Sequence, residues 1–438
     1  MIFKKFLRSR SGNFGMMSAI LMVPIAGAAG LAIDFSEAYS VRTSLNNAAD
    51  AAAVGSVAEK SVAVREAMLM QGDGPIDDGA KDARALFMGQ AGSDVSSLSV
   101  NLNTSVVKNG NKVTSKVTYS AVVPTTFSQL LGQKTITVSG VATAEYQTSA
   151  FMDFYILIDN TPSMGLGATS ADINLLKSKT TDTCAFACHN MDATTAKPSY
   201  YSIAKKFNIT MRIDVVRQAT QALTQTATNS RASDNQFRMA VYSFGQKAET
   251  AGLLKVAPLT SDLTAVNNAI ATDPNDPTKG IDLMTIPKQG WNSDQTTDLV
   301  GTLTSMAQEI PAAGNGASAA SPEKILFFVS DGVADAARVA CTRKKVSQNR
   351  CIEPIDQTLC QPLKARGVKI AILYTTYLPL PENSFYNSWV SPFQPQIGSY
   401  MQNCATPGLY FEVSPTQGIS DAMKALFLKA INMPRLTS

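Results

Sequence analysis

The stretch Phe154-Tyr155-Ile156-Leu157-Ile158, followed at once by Asp159-Asn160-Thr161-Pro162-Ser163, decides the fold class. Its first five residues form a short, continuous apolar run, the mark of a strand covered on both faces in a parallel sheet. The next five place one carboxylate and two hydroxyls on alternate positions directly after that strand. Open α/β sheets carry their binding crevice at the carboxyl ends of the strands, so ligands are expected here. Taken alone, the pentapeptide also reads as a polar turn with Pro162 as its breaker.

From Phe151 onward, strand and helix signals alternate. Strands are expected at residues 154–158, 237–244, 325–329, 368–374 and 409–413, and helices at about 213–226, 299–310, 357–366 and 418–431. Alternation of this kind predicts a doubly wound parallel sheet with helices on both faces. Three segments then meet at its carboxyl edge. The first is Asp159-x-Thr161-x-Ser163. The second is the polar loop 291–298, where Thr297 precedes a helix start at Asp298-Leu299 and Thr296 is an alternative donor. The third is Ser330-Asp331-Gly332, with Gly332 permitting the tight turn that aims Asp331 inward. Asp159, Thr161, Ser163, Thr297 and Asp331 supply only hard oxygen donors, which favour Mg²⁺, Mn²⁺ or Ca²⁺ over zinc. So short a list of protein ligands leaves positions around an ion for water or for a partner's carboxylate.

Towards the N-terminus the reading changes. Lys4, Lys5, Arg8 and Arg10 precede an apolar run from Phe14 to Ile33, long enough at about 1.5 Å per residue to cross a bilayer core of roughly 30 Å. The charge asymmetry places the basic tip (residues 1–13) in the cytoplasm and everything after Asp34 outside it. A cleaved signal peptide is the alternative, because Ala26 to Ala29 offers small residues of the cleavage-site kind. From Phe35 to about Met70 the chain reads as one alanine-rich helix, with Val41, Leu45, Ala48 and Ala52 on one face. A shorter helix is expected at about 81–88. Alternating apolar positions at 98–102 and 113–121, joined by Asn109-Gly110, then predict an antiparallel hairpin, with a further strand at about 135–144. The expected plan is a transmembrane helix (14–33), a pilin-like stem with a small antiparallel sheet (34–148), and a doubly wound domain (149–438) with insertions at about 165–201 and 332–356.

The composition of the 438-residue chain, 45% hydrophobic and 16% charged, is that of globular material. A net charge of +4, with Lys and Arg scattered, gives no argument for nucleic acid. All six cysteines lie beyond residue 180, which suits a distal part in an oxidising compartment. Cys341 and Cys351 bracket a basic excursion that a mutual disulfide would close, and Cys360 near a helix end and Cys404 before the last strand could then pair across the domain. Buried free thiols are the other reading. Cys184-Ala185-Phe186-Ala187-Cys188-His189 has one residue too many for the usual haem attachment motif and no second histidine for an axial position. A small disulfide-closed loop is the expectation there.

Two resemblances add to this. Arg10-Ser11-Gly12-Asn13-Phe14, the exit Ala32-Ile33-Asp34-Phe35, and Val41-Arg42-Thr43-Ser44-Leu45-Asn46-Asn47-Ala48-Ala49-Asp50-Ala51-Ala52-Ala53 resemble the N-terminus of TadG-type proteins of the tight-adherence (Flp) pilus assembly system, over about the first 60 residues. Residues from about 150 to 435 resemble the von Willebrand factor A domain and its metal-ion-dependent adhesion site. In that site Asp-x-Ser-x-Ser, a threonine and a later aspartate surround the ion. The resemblance implies a Rossmann-like domain with Asp159, Thr161, Ser163, Thr297 and Asp331 as metal ligands. Thr161 stands where a serine is usual, and the loop before Thr297 lacks the glycine often found there. TadG-like proteins also share a Cys before Lys364-Ala365-Arg366-Gly367-Val368 and another in Asn403-Cys404-Ala405.

The implied function is a non-enzymatic, single-pass inner-membrane protein, with the bulk of the chain periplasmic or in the cell envelope. It would assemble or tether Flp pili by binding a pilus or envelope protein through its metal. A surface or matrix adhesin using the same site is the alternative. Hydrolysis at a metal-bound water is disfavoured. Thr161 replaces the second carboxylate of an Asp-x-Asp phosphatase motif, His189 is the sole histidine, and neither Gly-x-Ser-x-Gly nor a P-loop occurs.

Overall fold

The structure, a computed structural model, describes residues 13–185, 199–286 and 297–431, apart from residues 71, 97, 149, 249–250, 273–278, 340, 344, 346–348, 378 and 415–417. The chain divides into two compact units, Met1–Thr148 and Ser149–Ser438.

In the first unit, α1 (Asn13–Ser56) is a 44-residue helix with Pro24 inside it. Its N-terminal half is apolar and exposed, long enough and hydrophobic enough to cross a membrane. Its C-terminal half buries Ala38, Leu45, Ala48, Ala49, Ala52 and Ala53 in the core of the unit. The helix ends at Ser56 rather than running on to Met70. The Ser56 hydroxyl donates to Ala53 O, a local bond that competes with helix continuation, and lies 2.8 Å from Ser115 Oγ, which can donate to it. Ser61 then caps a separate helix α2 (Val62–Leu69) by accepting from Val64 N–H. Helix α3 (Asp77–Ser96) is longer than expected but is broken at Gly92, which takes φ 69°, and Asp77 and Asp78 in its first turn suit the helix dipole. The sheet runs β1 (Gly74–Pro75), β2 (Ser99–Asn109), β3 (Lys112–Pro124), β4 (Thr135–Gln147) in that order, all antiparallel. The inward face of β3 is the expected alternating set Val113, Ser115, Val117, Tyr119 and Ala121.

The second unit is built on a six-stranded sheet. Its strands are β5 (Met152–Ile158), β6 (Phe237–Ser243), β7 (Leu254–Thr260), β8 (Glu323–Ser330), β11 (Lys369–Thr375) and β12 (Tyr410–Val413), in the order β12-β11-β8-β5-β6-β7. All pairings are parallel except β6 with β7. Residues of β5 alternate between two cores. Phe154, Ile156 and Ile158 pack with α6 (Arg212–Ser230) and the C-terminal helix (Ile419–Ile431), while Tyr155 and Leu157 pack with α8 (Leu299–Glu309) and Ile397 and Met401. The strand order is the doubly wound one: the chain leaves β5 towards one edge of the sheet and leaves β8 towards the other. The switch point lies between β5 and β8.

Several elements were not expected. They are α4 (Ser170–Lys179) and α5 (Tyr200–Lys206) in the first insertion, the edge strand β7, α7 (Leu263–Ile270), and a helix at Gln394–Cys404. In the second insertion, β9 (Val333–Ala337) and β10 (Arg350–Pro354) form an antiparallel ladder. The helix expected at 357–366 is a 3₁₀ turn (Gln357–Cys360) running into α9 (Gln361–Lys364), where Pro362 at the start cannot donate. Cys341–Cys351 and Cys360–Cys404 are both disulfide-bonded. Cys188 and His189 lie outside the described residues.

Candidate functional site

Because β5 and β8 are adjacent and in register, Ile158 opposite Val329, the residues that follow them emerge side by side at the switch point. Asp159 donates its N–H to Val329 O at 2.9 Å and is fully buried. Its carboxylate is clamped from both sides. Thr161 N–H and Thr161 Oγ1 donate to Oδ1 at 3.0 and 2.6 Å, and Ser330 Oγ donates to Oδ2 at 2.6 Å. Ser163, in a 3₁₀ turn started by Pro162, brings its hydroxyl to 3.4 Å from Thr161 Oγ1. Asn160 pins this loop: its amide donates to Gly245 O and Asp282 O, and its Oδ1 accepts from Phe244 N–H.

Asp331 is equally buried. Val333 N–H approaches Oδ1 at 3.3 Å, but Oδ2 has no hydrogen-bond partner. Gly332 takes φ 73°, and a Cβ there would lie 2.7 Å from Ile397 Cγ2, so the turn that directs Asp331 inward admits only glycine. Thr297 is placed by backbone pairing with Asp335 on β9, N–H to O in both directions at 3.1 and 3.0 Å, and is almost fully buried. Asp298 is used as the cap of α8, accepting from Gly301 N–H. Thr296 lies outside the described residues.

The structure adds a residue absent from the sequence reading. Arg212, first in α6, is 1% exposed and has its Nη1 at 3.9 Å from Asp331 Oδ2. Its Nη2 donates to Thr376 O at 3.1 Å, and its Nε has no partner. The sequence did hold a signal for it. Arg212 falls on the same helical stripe as Val216, Ala219, Leu223 and Ala227, all buried, and a cation on an apolar stripe needs a counterion.

Two buried carboxylates thus face one buried guanidinium. Burial raises Asp159 from the ordinary carboxylate range, although Ser330 and Thr161 oppose the rise. Burial, then the neighbouring charge of Asp159, pushes Asp331 up to about 7. Burial likewise lowers Arg212, with Asp331 opposing. The excess of negative charge, the absence of a hydrogen bond to Asp331 Oδ2 and a set of oxygen-only donors together fit a bound cation. Thr161 and Ser330 each spend their one hydroxyl proton on Asp159, and Ser330 Oγ also accepts from Gly332 N–H at 3.0 Å, so both present an oxygen rather than a proton to the site.

Comparison with known families bears on the other unit. Residues 12–59 match the model of the Flp pilus-assembly TadE/G-like family. The N-terminal segment is TadE/G-like. This TadE/G-like segment takes in the apolar half of α1, the Asp34 exit and the buried alanine face. No curated protein sequence matches the chain. Among solved structures, similarity is found to proximal thread matrix protein 1 from the mussel byssus, at 12% identity over 65% of this chain and 49% of that chain, TM-score 0.33. The form of that protein with a zinc-occupied MIDAS motif gives 12% identity over 65% and 48%, TM-score 0.30. The vWF domain of the type V pili tip protein Mfa5 from Porphyromonas gingivalis gives 10% identity over 66% of this chain and 99% of that one, TM-score 0.33. The chain spans about half the length of the mussel protein it matches.

Proposed function

We infer that this is a membrane-anchored, non-enzymatic protein of Flp-type pilus assembly that holds a protein partner through a divalent cation at the β5/β8 switch point. The observation that carries the reading is the fully buried Asp331 Oδ2, which has an ion pair with Arg212 at 3.9 Å but no hydrogen bond, beside a clamped Asp159. Asp159, Thr161, Ser163, Thr297 and Asp331 would hold Mg²⁺, or Mn²⁺ or Ca²⁺ in its place. When bound, such an ion offers an open coordination position to an oxygen ligand. Charge balance then favours an acidic one. Two carboxylates and one guanidinium leave a single negative charge, a divalent cation turns this into a single positive charge, and a partner's Asp or Glu neutralises it.

The protein side chains serve this by holding still. Ser330 and Thr161 fix the Asp159 carboxylate, Asn160 fixes the loop, and Gly332 fixes the direction of Asp331. That is preorganisation for binding. The TadE/G-like segment supports the pilus association, and the apolar half of α1 supports an inner-membrane span with the second unit in the periplasm.

The test is capture of partners from a cell-envelope extract by the detergent-solubilised full chain, in Mg²⁺ and in EDTA, with Asp159→Ala alongside. Capture in Mg²⁺ that is lost in EDTA and lost in Asp159→Ala supports the reading. Capture indifferent to both removes the metal-mediated mechanism.

A further inference from the structure

The connection between β3 and β4 carries three large apolar side chains into the open: Phe127 is 40% exposed, Leu130 83% and Leu131 69%. Exposed apolar residues this close together mark an interaction surface. Their position in the unit is fixed by α1. Asp34 is only 2% exposed and receives Thr126 N–H at 2.9 Å on Oδ1, with Phe127 N–H at 3.0 Å, Ser128 N–H at 2.5 Å and Ser128 Oγ–H at 2.6 Å on Oδ2. One turn earlier, Gly30 lets the Phe127 side chain lie directly on the helix, since a Cβ at Gly30 would be 2.6 Å from Phe127 Cβ. The loop is therefore strapped to α1 between Gly30 and Asp34. That is where the apolar run of the helix, with exposed Val23, Ile25 and Ile33, comes to its end.

We propose that this loop is a second membrane contact: Leu130 and Leu131 enter the leaflet nearest the folded unit, beside the point where α1 leaves the bilayer. The occupant is lipid because the patch continues the exposed apolar surface of the span itself. The loop also has interfacial chemistry. The 3₁₀ turn Ser128–Leu131 presents the two leucines, Gly132 at φ 92° turns the chain back, and the exposed Lys134 follows at the level of lipid phosphates. Asp34 satisfies the backbone N–H groups of the loop, which would otherwise be costly to bring near hydrocarbon. The consequence is an anchor at two points, which restrains the tilt and rotation of the stem where a single helix would not.

The inference rests on α1 being a membrane helix, and the experiment separates the two. The full chain is reconstituted in phosphatidylcholine–phosphatidylglycerol vesicles with lipids brominated near the headgroup end of the acyl chain. Single substitutions Leu130→Trp, Val23→Trp and Asn109→Trp are compared, with the emission of Trp291 and Trp389 subtracted using the unsubstituted protein. Asn109 ends β2 opposite Lys112, at the far end of β3 from the loop and about 40 Å away. The expected result is blue-shifted, bromine-quenched emission from Leu130→Trp and Val23→Trp and unquenched emission from Asn109→Trp. Quenching of Val23→Trp without quenching of Leu130→Trp, whatever its colour, overturns the loop contact and leaves the span standing. Quenching of neither overturns both.

Discussion

Asp331 and Arg212 set the behaviour of the second unit at the scale of single residues. The Asp331 carboxyl is held at about 7 against an ordinary 3.8, so protons bind more tightly in the folded state than in the unfolded one. Below about pH 4 both states are protonated and the group costs nothing. As pH rises towards 7 the unfolded chain ionises first and stability falls; above 7 the penalty is constant. In EDTA, thermal melts of the wild type are therefore expected to drop in midpoint between about pH 4 and pH 7. Asp331→Asn, which leaves one carboxylate against one guanidinium, should flatten that drop and forfeit any stabilisation by Mg²⁺. Arg212→Met is expected to cost about 3–5 kcal/mol in urea denaturation, because it strands two buried carboxylates without a counterion. The placement of Asp159 and Asp331 at the carboxyl edge of the sheet was legible from the apolar strands before them. Arg212 was not singled out, since a basic residue at a helix start attracts no attention until the stripe it stands on is seen to be buried.

At the scale of elements, the central strands were readable because Phe154–Ile158 of β5 and Ile325–Val329 of β8 are apolar without interruption, and burial on both faces demands that. The edge strand β7 was not. It is half-exposed, and it contains Pro258, which a sheet tolerates at its edge but which reads as a breaker in isolation. The helix at Gln394–Cys404 was hidden for a related reason: Pro395 looked like loop punctuation but sits in the first turn, where its missing N–H costs nothing. Helix α4 buries only Leu176 and so lacks the apolar stripe that would announce it. The Cys360–Cys404 disulfide ties the helix Gln394–Cys404 back to the 3₁₀ turn across a separation of 44 residues. Cys360→Ser is expected to lower stability by about 3–4 kcal/mol, as chain entropy returns to the unfolded state. In the first unit, burial alone would raise Asp34, but hydrogen bonds from Ser128, Thr126 and Phe127 hold it at about 2. A depressed carboxylate stabilises the fold above its unfolded value near 3.8, and that contribution disappears as pH falls through 2. Amide exchange at Thr126, Phe127 and Ser128 should accelerate at least about tenfold in Asp34→Ala at neutral pH, with other amides of the sheet unchanged.

For the whole molecule, the two units divide the work. One carries a TadE/G-like segment and a helix able to cross a bilayer; the other sets acidic and hydroxyl oxygens at the switch point of a doubly wound sheet. The account turns on whether those oxygens hold an ion at all. Electron paramagnetic resonance of Mn²⁺ titrated into the detergent-solubilised full chain measures this directly, since the free ion's signal is lost on binding. The wild type is predicted to remove one equivalent of Mn²⁺ per chain, displaceable by Mg²⁺, with Asp159→Ala and Asp331→Asn removing none. Equal removal by all three proteins, or none by the wild type, would contradict a metal site between Asp159 and Asp331.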